Sequence, residues 1–151
     1  MLTADLEILN LHDDGFHLLV EVIVFDKPFK AVVDTGASRT VFDKTTVEQY
    51  IEQETLQLSD KLSTGLGTNS MESYILTVPH LILGPLNIPD FETAVLDLSM
   101  INHAYQYLEV GPIIGVIGGD ILMKYNATIS YPLKRISFRP KRVVAKRSRK
   151  Q

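Results

Sequence analysis

The stretch of this sequence whose residue types and spacing suit chemistry is Asp34-Thr35-Gly36-Ala37-Ser38. Three apolar residues, Ala31, Val32 and Val33, run straight into Asp34 and read as the end of a buried strand. Gly36 lets the backbone turn at once, and Thr35 adds a short hydrogen-bonding group. The pattern holds a carboxylate still at the lip of a strand, as an acid/base group requires. The same tripeptide also serves as a plain turn in which the Asp caps backbone N–H groups. The surrounding elements decide between the two.

Those elements read mostly as short strands. Leu6–Leu11, a turn at His12-Asp13-Asp14-Gly15, and Phe16–Phe25 form a strand–turn–strand unit. After Asp26-Lys27-Pro28, the strand Phe29–Val33 delivers Asp34. Arg39–Phe42 leaves the loop as a further strand. Asp43 caps a helix expected over about Lys44–Glu54, with Val47, Tyr50, Ile51 and Glu54 at helical spacing. Strands are expected over Ser73–Val78, His80–Leu83, Leu86–Ile88 and Phe91–Leu98, punctuated by Gly84-Pro85 and Pro89-Asp90. Ser99 caps a second helix over about Met100–Leu108. Ile113–Ile117 is a buried strand running into Gly118-Gly119, and a short helix starts near Asp120. The last strands are Asn126–Tyr131 and Arg135–Phe138. Many short strands and few helices predict a mainly β domain, a small closed barrel with one or two short helices.

Composition narrows the chemistry. The 151 residues are 45% hydrophobic and 22% charged, which suits one globular domain with a real core. There is no cysteine, so thiol nucleophiles, disulfides and thiolate metal sites are excluded. No apolar run is long enough to span a bilayer. The first residues lack the basic and apolar regions of a secretory leader, and the expected location is cytoplasmic. His12, His17, His80 and His103 form no metal-ligand spacing, so no metal is expected. Leu62–Ser70 is glycine-rich. It lacks the third glycine and the strand–helix context of a dinucleotide loop, and reads as a mobile hairpin instead. There is no Gly-x-Ser-x-Gly nucleophile elbow. Charge is polarised: residues 1–120 hold all 18 acids and 5 bases, whereas residues 121–151 hold 10 bases and no acid. Residues 141–151 read as a basic, solvated tail. Binding of nucleic acid or an anionic surface is the sharper reading of it, without interleaved aromatics to support stacking.

Taken together these stretches resemble the retropepsins, the retroviral-type aspartic proteases, and in particular their bacterial relatives. Asp34-Thr35-Gly36-Ala37-Ser38 is similar to the family's catalytic loop. Gly65, Leu66, Gly67 and Thr68 fall where its flap would lie. Val116-Ile117-Gly118, followed by Gly119-Asp120-Ile121-Leu122, is similar to the two-hydrophobics-then-glycine element and the helix after it. The resemblance covers about Leu6–Phe138 and implies a protease domain over residues 1–140. Many retroviral members carry an arginine after that glycine, paired with an acid in the catalytic loop. Here those places hold Gly119 and Ser38, and Arg39 with Asp120 is the substitute pair on offer. Ser130 stands where bacterial relatives often show aspartate.

The resemblance implies hydrolysis of peptide bonds by water held between two carboxylates, with no cofactor. Two such acids a few ångströms apart share one proton. The sequence supplies one Asp-Thr-Gly. Asp97 has no glycine after it and precedes a helix cap; Asp120 follows two glycines and marks a helix start. The second acid must therefore come from another copy of the chain, across a two-fold axis. Thr35 resembles the family's threonine that bonds to the neighbouring loop across the dimer. Gly36 gives close access to a polypeptide substrate, and the 62–75 hairpin closes over it. The alternative is an inactive fold of the same type that binds or scaffolds peptides.

Overall fold

The computed structural model describes residues 1–10, 15–52, 55–58, 72–106 and 113–140, with the backbone alone for Ala104 and Gln106. Three antiparallel strands open the fold: β1 (Leu2–Asn10), β2 (Phe16–Val24) and β3 (Lys27–Val33). β2 shows why they form. Its β-branched and leucine residues alternate, so Leu18, Val20, Val22 and Val24 turn to the core, joined from β3 by Ala31 and Val33. Leu19 turns to the opposite face, and it too is buried, in a smaller cluster.

The chain continues through β4 (Val41–Asp43), a one-turn helix α1 (Lys44–Val47), β5 (Gln57–Leu58), β6 (Tyr74–Leu83) and β7 (Leu86–Leu96). Helix α2 (Ser99–Gln106), β8 (Ile113–Ile117), α3 (Gly119–Lys124), β9 (Thr128–Ser130) and β10 (Arg135–Phe138) follow. The strands form one sheet in the order β5-β6-β7-β4-β8-β3-β2-β1-β10-β9, and a β6–β2 pairing at Ile23↔Ile82 closes it into a barrel. The domain is mainly β with three short helices among the described residues, which is the expected small closed barrel. None of those helices is long and apolar enough to cross a membrane.

Inside lie Phe42, Phe138, Leu81, Leu83, Ile114, Ile117, Ile121 and Ile136, each fully buried. Burial of a side chain of this size contributes about 1.5–3 kcal/mol. One crossing sets the site. β8 lies between β3 and β4, parallel to the first and antiparallel to the second. The chain leaves β3, loops over the end of β8, and returns along its other side.

Several boundaries differ from expectation. The helix expected over Lys44–Glu54 is one turn long. Asp43 caps it by accepting from Thr46 N and Oγ1 at 3.2 and 2.8 Å. The β-branched run Thr45-Thr46-Val47 then gives way to tight three-residue turns, Gln49 N to Thr46 O and Tyr50 N to Val47 O. Val47 is buried and Tyr50 stacks on Phe25, while Glu54 lies outside the described residues. The short strands expected over residues 73–98 are two long ones, unbroken by Pro79 or Pro89. β4 meets β7 only from Ala94 onward, and β6 meets its second neighbours at Tyr74–Ile75 and at Ile82. Among the described residues both prolines stand where the strand has a partner on one side only, an edge setting that tolerates the missing N–H.

Candidate active site

Asp34 extends the parallel β3–β8 ladder by one bond, its N–H donating to Ile117 O at 3.0 Å. The chain then turns sharply. Ala37 N donates to Asp34 O at 3.1 Å, and Gly36 N donates to Asp34 Oδ1 at 2.9 Å. That last bond holds one carboxylate oxygen, and the other has no hydrogen-bond partner among the described residues. Asp34, Thr35, Gly36, Ser38 and Arg39 are exposed, and Ala37 is half-buried. A Cβ on Gly36 would stand 3.3 Å from Asp34 Oδ1, so glycine lets the backbone close in on the carboxylate.

The element Val116-Ile117-Gly118 packs beneath this loop. A Cβ on Gly118 would meet the Arg39 carbonyl carbon and oxygen at 2.6 Å and Ala37 O at 2.9 Å. Gly119 N donates to Ala37 O at 2.7 Å. At Gly115 the approach is closer still: an added Cβ would lie 1.9 Å from Val41 O. These glycines let β8 and the loop touch backbone to backbone.

The substitute pair expected at Arg39 and Asp120 is not the one formed, because Thr40 takes the partner's place. Asp120 Oδ1 accepts from Thr40 N at 3.0 Å, Thr40 Oγ1 at 2.7 Å and Ile121 N at 2.9 Å. Thr40 Oγ1 in turn accepts from Gly118 N at 3.1 Å. Its carbonyl accepts from Ala94 N and Thr93 Oγ1, both at 3.3 Å. Thr40 is wholly buried. It ties the loop, the glycine element, α3 and β7 together by hydrogen bonds, while Arg39 is exposed. Sequence reasoning missed Thr40; a hydroxyl residue beside a loop already rich in them gives no signal of its own.

Asp97 stands away from the loop as a turn residue. Its Oδ1 accepts from Ser99 N at 2.9 Å, and that bond holds its carboxyl below the usual range. Asp43, 3% exposed, supports two elements, accepting from Leu98 N at 2.9 Å as well as capping α1. Gly65, Leu66, Gly67 and Thr68 lie outside the described residues. The strands on either side are described: Gln57 pairs antiparallel with Ile75 and Leu58 with Tyr74. The basic tail, residues 141–151, also lies outside.

A second polar group adjoins the loop. His17 Nδ1 and the Tyr105 hydroxyl share a hydrogen bond between β2 and α2. Tyr105 is 5% exposed. Burial, and after it the Asp34 charge, push its phenol above the ordinary value. His80 bonds Asn87 on the surface. His17 and Tyr105 are 88 residues apart, so spacing gives no hint of the pair.

A closed barrel with an aspartate at the lip of one inner strand, seated on a glycine-backed parallel neighbour, is the architecture of a retropepsin-like aspartic protease. Three solved structures share the fold. The retroviral protease-like domain of Ddi1 from Leishmania major aligns with a TM-score of 0.58 at 18% identity, over 81% of this chain and 87% of that one. A retropepsin-like aspartic protease from Rickettsia conorii aligns at 0.53 and 17%, over 89% of each chain. The EIAV protease, complexed with the inhibitor HBY-793, aligns at 0.53 and 18%, over 74% of this chain and 90% of that one. At these identities the likeness is one of fold. The aspartyl protease family model matches residues 20–121, and the chain belongs to that family. No curated protein matches the chain.

Proposed function

We propose that the protein is an aspartic endopeptidase whose active site is completed by two copies of the chain. The observation that carries this is the Asp34 loop itself. It places an exposed carboxylate at the end of β3; the Gly36 N bond is one a plain turn also makes, but the seat of the Asp34 backbone on Ile117 O, over the glycine element, is not. Family membership and fold support the same reading.

In the mechanism, the two Asp34 carboxyls face each other across a two-fold axis and share a proton, because like charges at close range cannot both ionise cheaply. The ionised member takes a proton from water. The protonated member donates to the substrate carbonyl, and water attacks its carbon. The tetrahedral intermediate collapses with a proton passed to the leaving amine. Thr35 bonds across to the partner loop and fixes the separation of the dyad. Gly36 leaves room for the peptide, which binds extended with alternate side chains in pockets. The hairpin carrying Gly65–Thr68 covers it. Ala37, Ser38, Val116, Ile117 and Gly118 support the loop.

Asp34→Asn tests the reading, since it keeps the side chain's size and an oxygen for Gly36 N. Cleavage of a peptide library by the wild-type chain should vanish in this variant, while its melting temperature and sedimentation stay those of wild type. Cleavage that persists in the pure variant would end the proposal.

A further inference from the structure

The sheet face that leads to Asp34 carries more than the loop. Val32 packs against a cluster of Leu19, Ile113 and Tyr105. Side chains two residues apart on a strand share a face, so this cluster face leads directly to Asp34. The β2–β3 register runs Leu19↔Val32, then Leu18↔Val33. Continued by one residue, that register would bring His17 opposite Asp34. Tyr105 covers the face from α2, a helix held in place by Asn102 Oδ1 accepting from Ile113 N at 2.8 Å.

Geometry alone leaves either partner of the Tyr105–His17 bond as donor, and burial assigns the direction: a buried hydroxyl proton needs an acceptor, and His17 Nδ1 is the one within reach among the described residues. With Nδ1 accepting, the neutral imidazole carries its own proton on Nε2. His17 is half-buried and so has an edge at the surface. An N–H donor therefore stands beside the Asp34 end of an apolar wall.

We propose that His17, oriented by Tyr105, is a specificity-determining residue of the peptide groove, its Nε2–H donating to the carboxamide oxygen of a substrate asparagine or glutamine. An apolar side chain there leaves the N–H unpaired when water is driven out. A carboxylate side chain meets the charge of Asp34. The neutral carboxamide escapes both costs. The inference rests on the proteolytic reading for where the groove lies, but its test reads binding alone.

The test uses the full Asp34→Asn chain and labelled peptides in a fluorescence anisotropy titration. Gln, Glu and Leu are scanned in turn through the central positions of one fixed peptide. At one position the Gln peptide should bind roughly tenfold tighter than its Glu and Leu counterparts, as one recovered hydrogen bond gives. Tyr105→Phe, which keeps the ring packed on Leu19 and Ile113, should reduce that ratio, and His17→Phe should erase it. Two results overturn the inference: no position with a Gln preference, including no binding at all, or a preference that survives both substitutions. Cleavage of the same peptides by the wild-type chain judges the protease reading separately. A chain that binds with this preference and never cuts refutes proteolysis and keeps the inference.

Discussion

Asp34 owes its position to backbone groups more than to side chains: Ile117 O, Gly36 N and Ala37 N define it. The side chain that matters most behind the loop is Thr40. Thr40→Val keeps shape but removes the hydroxyl between Asp120 and Gly118 N. It leaves a buried N–H unpaired and a carboxylate short of one donor, a loss of about 2–4 kcal/mol in urea unfolding. A change below about 0.5 kcal/mol would refute its role as the tie. Tyr105 gives a residue-scale pH prediction. Its folded phenol is raised, by burial first and Asp34 second. The stability this represents is fully present below the unfolded phenol value of about 10 and is lost as pH climbs through the raised one. Alkaline absorbance titration should show a late phenol that disappears in Tyr105→Phe.

At the scale of elements, what was legible followed from local pattern. The strand Phe29–Val33 ending at Asp34, the strand over Phe16–Phe25, the Asp43 cap and the helix after Gly118-Gly119 could all be read because adjacent residues determine them. What escaped depends on neighbours distant in sequence. Pro79 and Pro89 read as strand ends, yet they sit inside β6 and β7, where those stretches have a partner on one side only among the described residues. The α1 helix promised by spacing stops after one turn, where Tyr50 finds Phe25 and Phe29. Thr40–Asp120 and His17–Tyr105 join residues 80 and 88 apart, which no spacing rule foresees. The glycine element makes a paired prediction. Gly118→Ala drives a Cβ to 2.6 Å from Arg39 backbone that cannot step aside, and should cost about 3 kcal/mol or more. Gly119→Ala meets Ala37 O at an ordinary 3.4 Å and should stay within about 1 kcal/mol. Thermal melts of the two variants check the contrast.

For the whole molecule, the proposed dyad makes activity a property of pairs. Mixing equal amounts of wild type and Asp34→Asn, then allowing exchange, leaves about a quarter of the dimers with two intact aspartates. Specific activity should settle near that fraction of the undiluted wild-type value. A fall to only one half would mean that each chain works alone. The threading of β8 between β3 and β4 carries a consequence in time. Asp34 is made early, but the carbonyl that seats its N–H belongs to Ile117, and the acid that anchors Thr40 is Asp120. A growing polypeptide therefore bears its reactive side chain long before it can bear its site. Contacts this distant are slow to close, so under the proposed function the nascent protein should cut nothing synthesised beside it until they form.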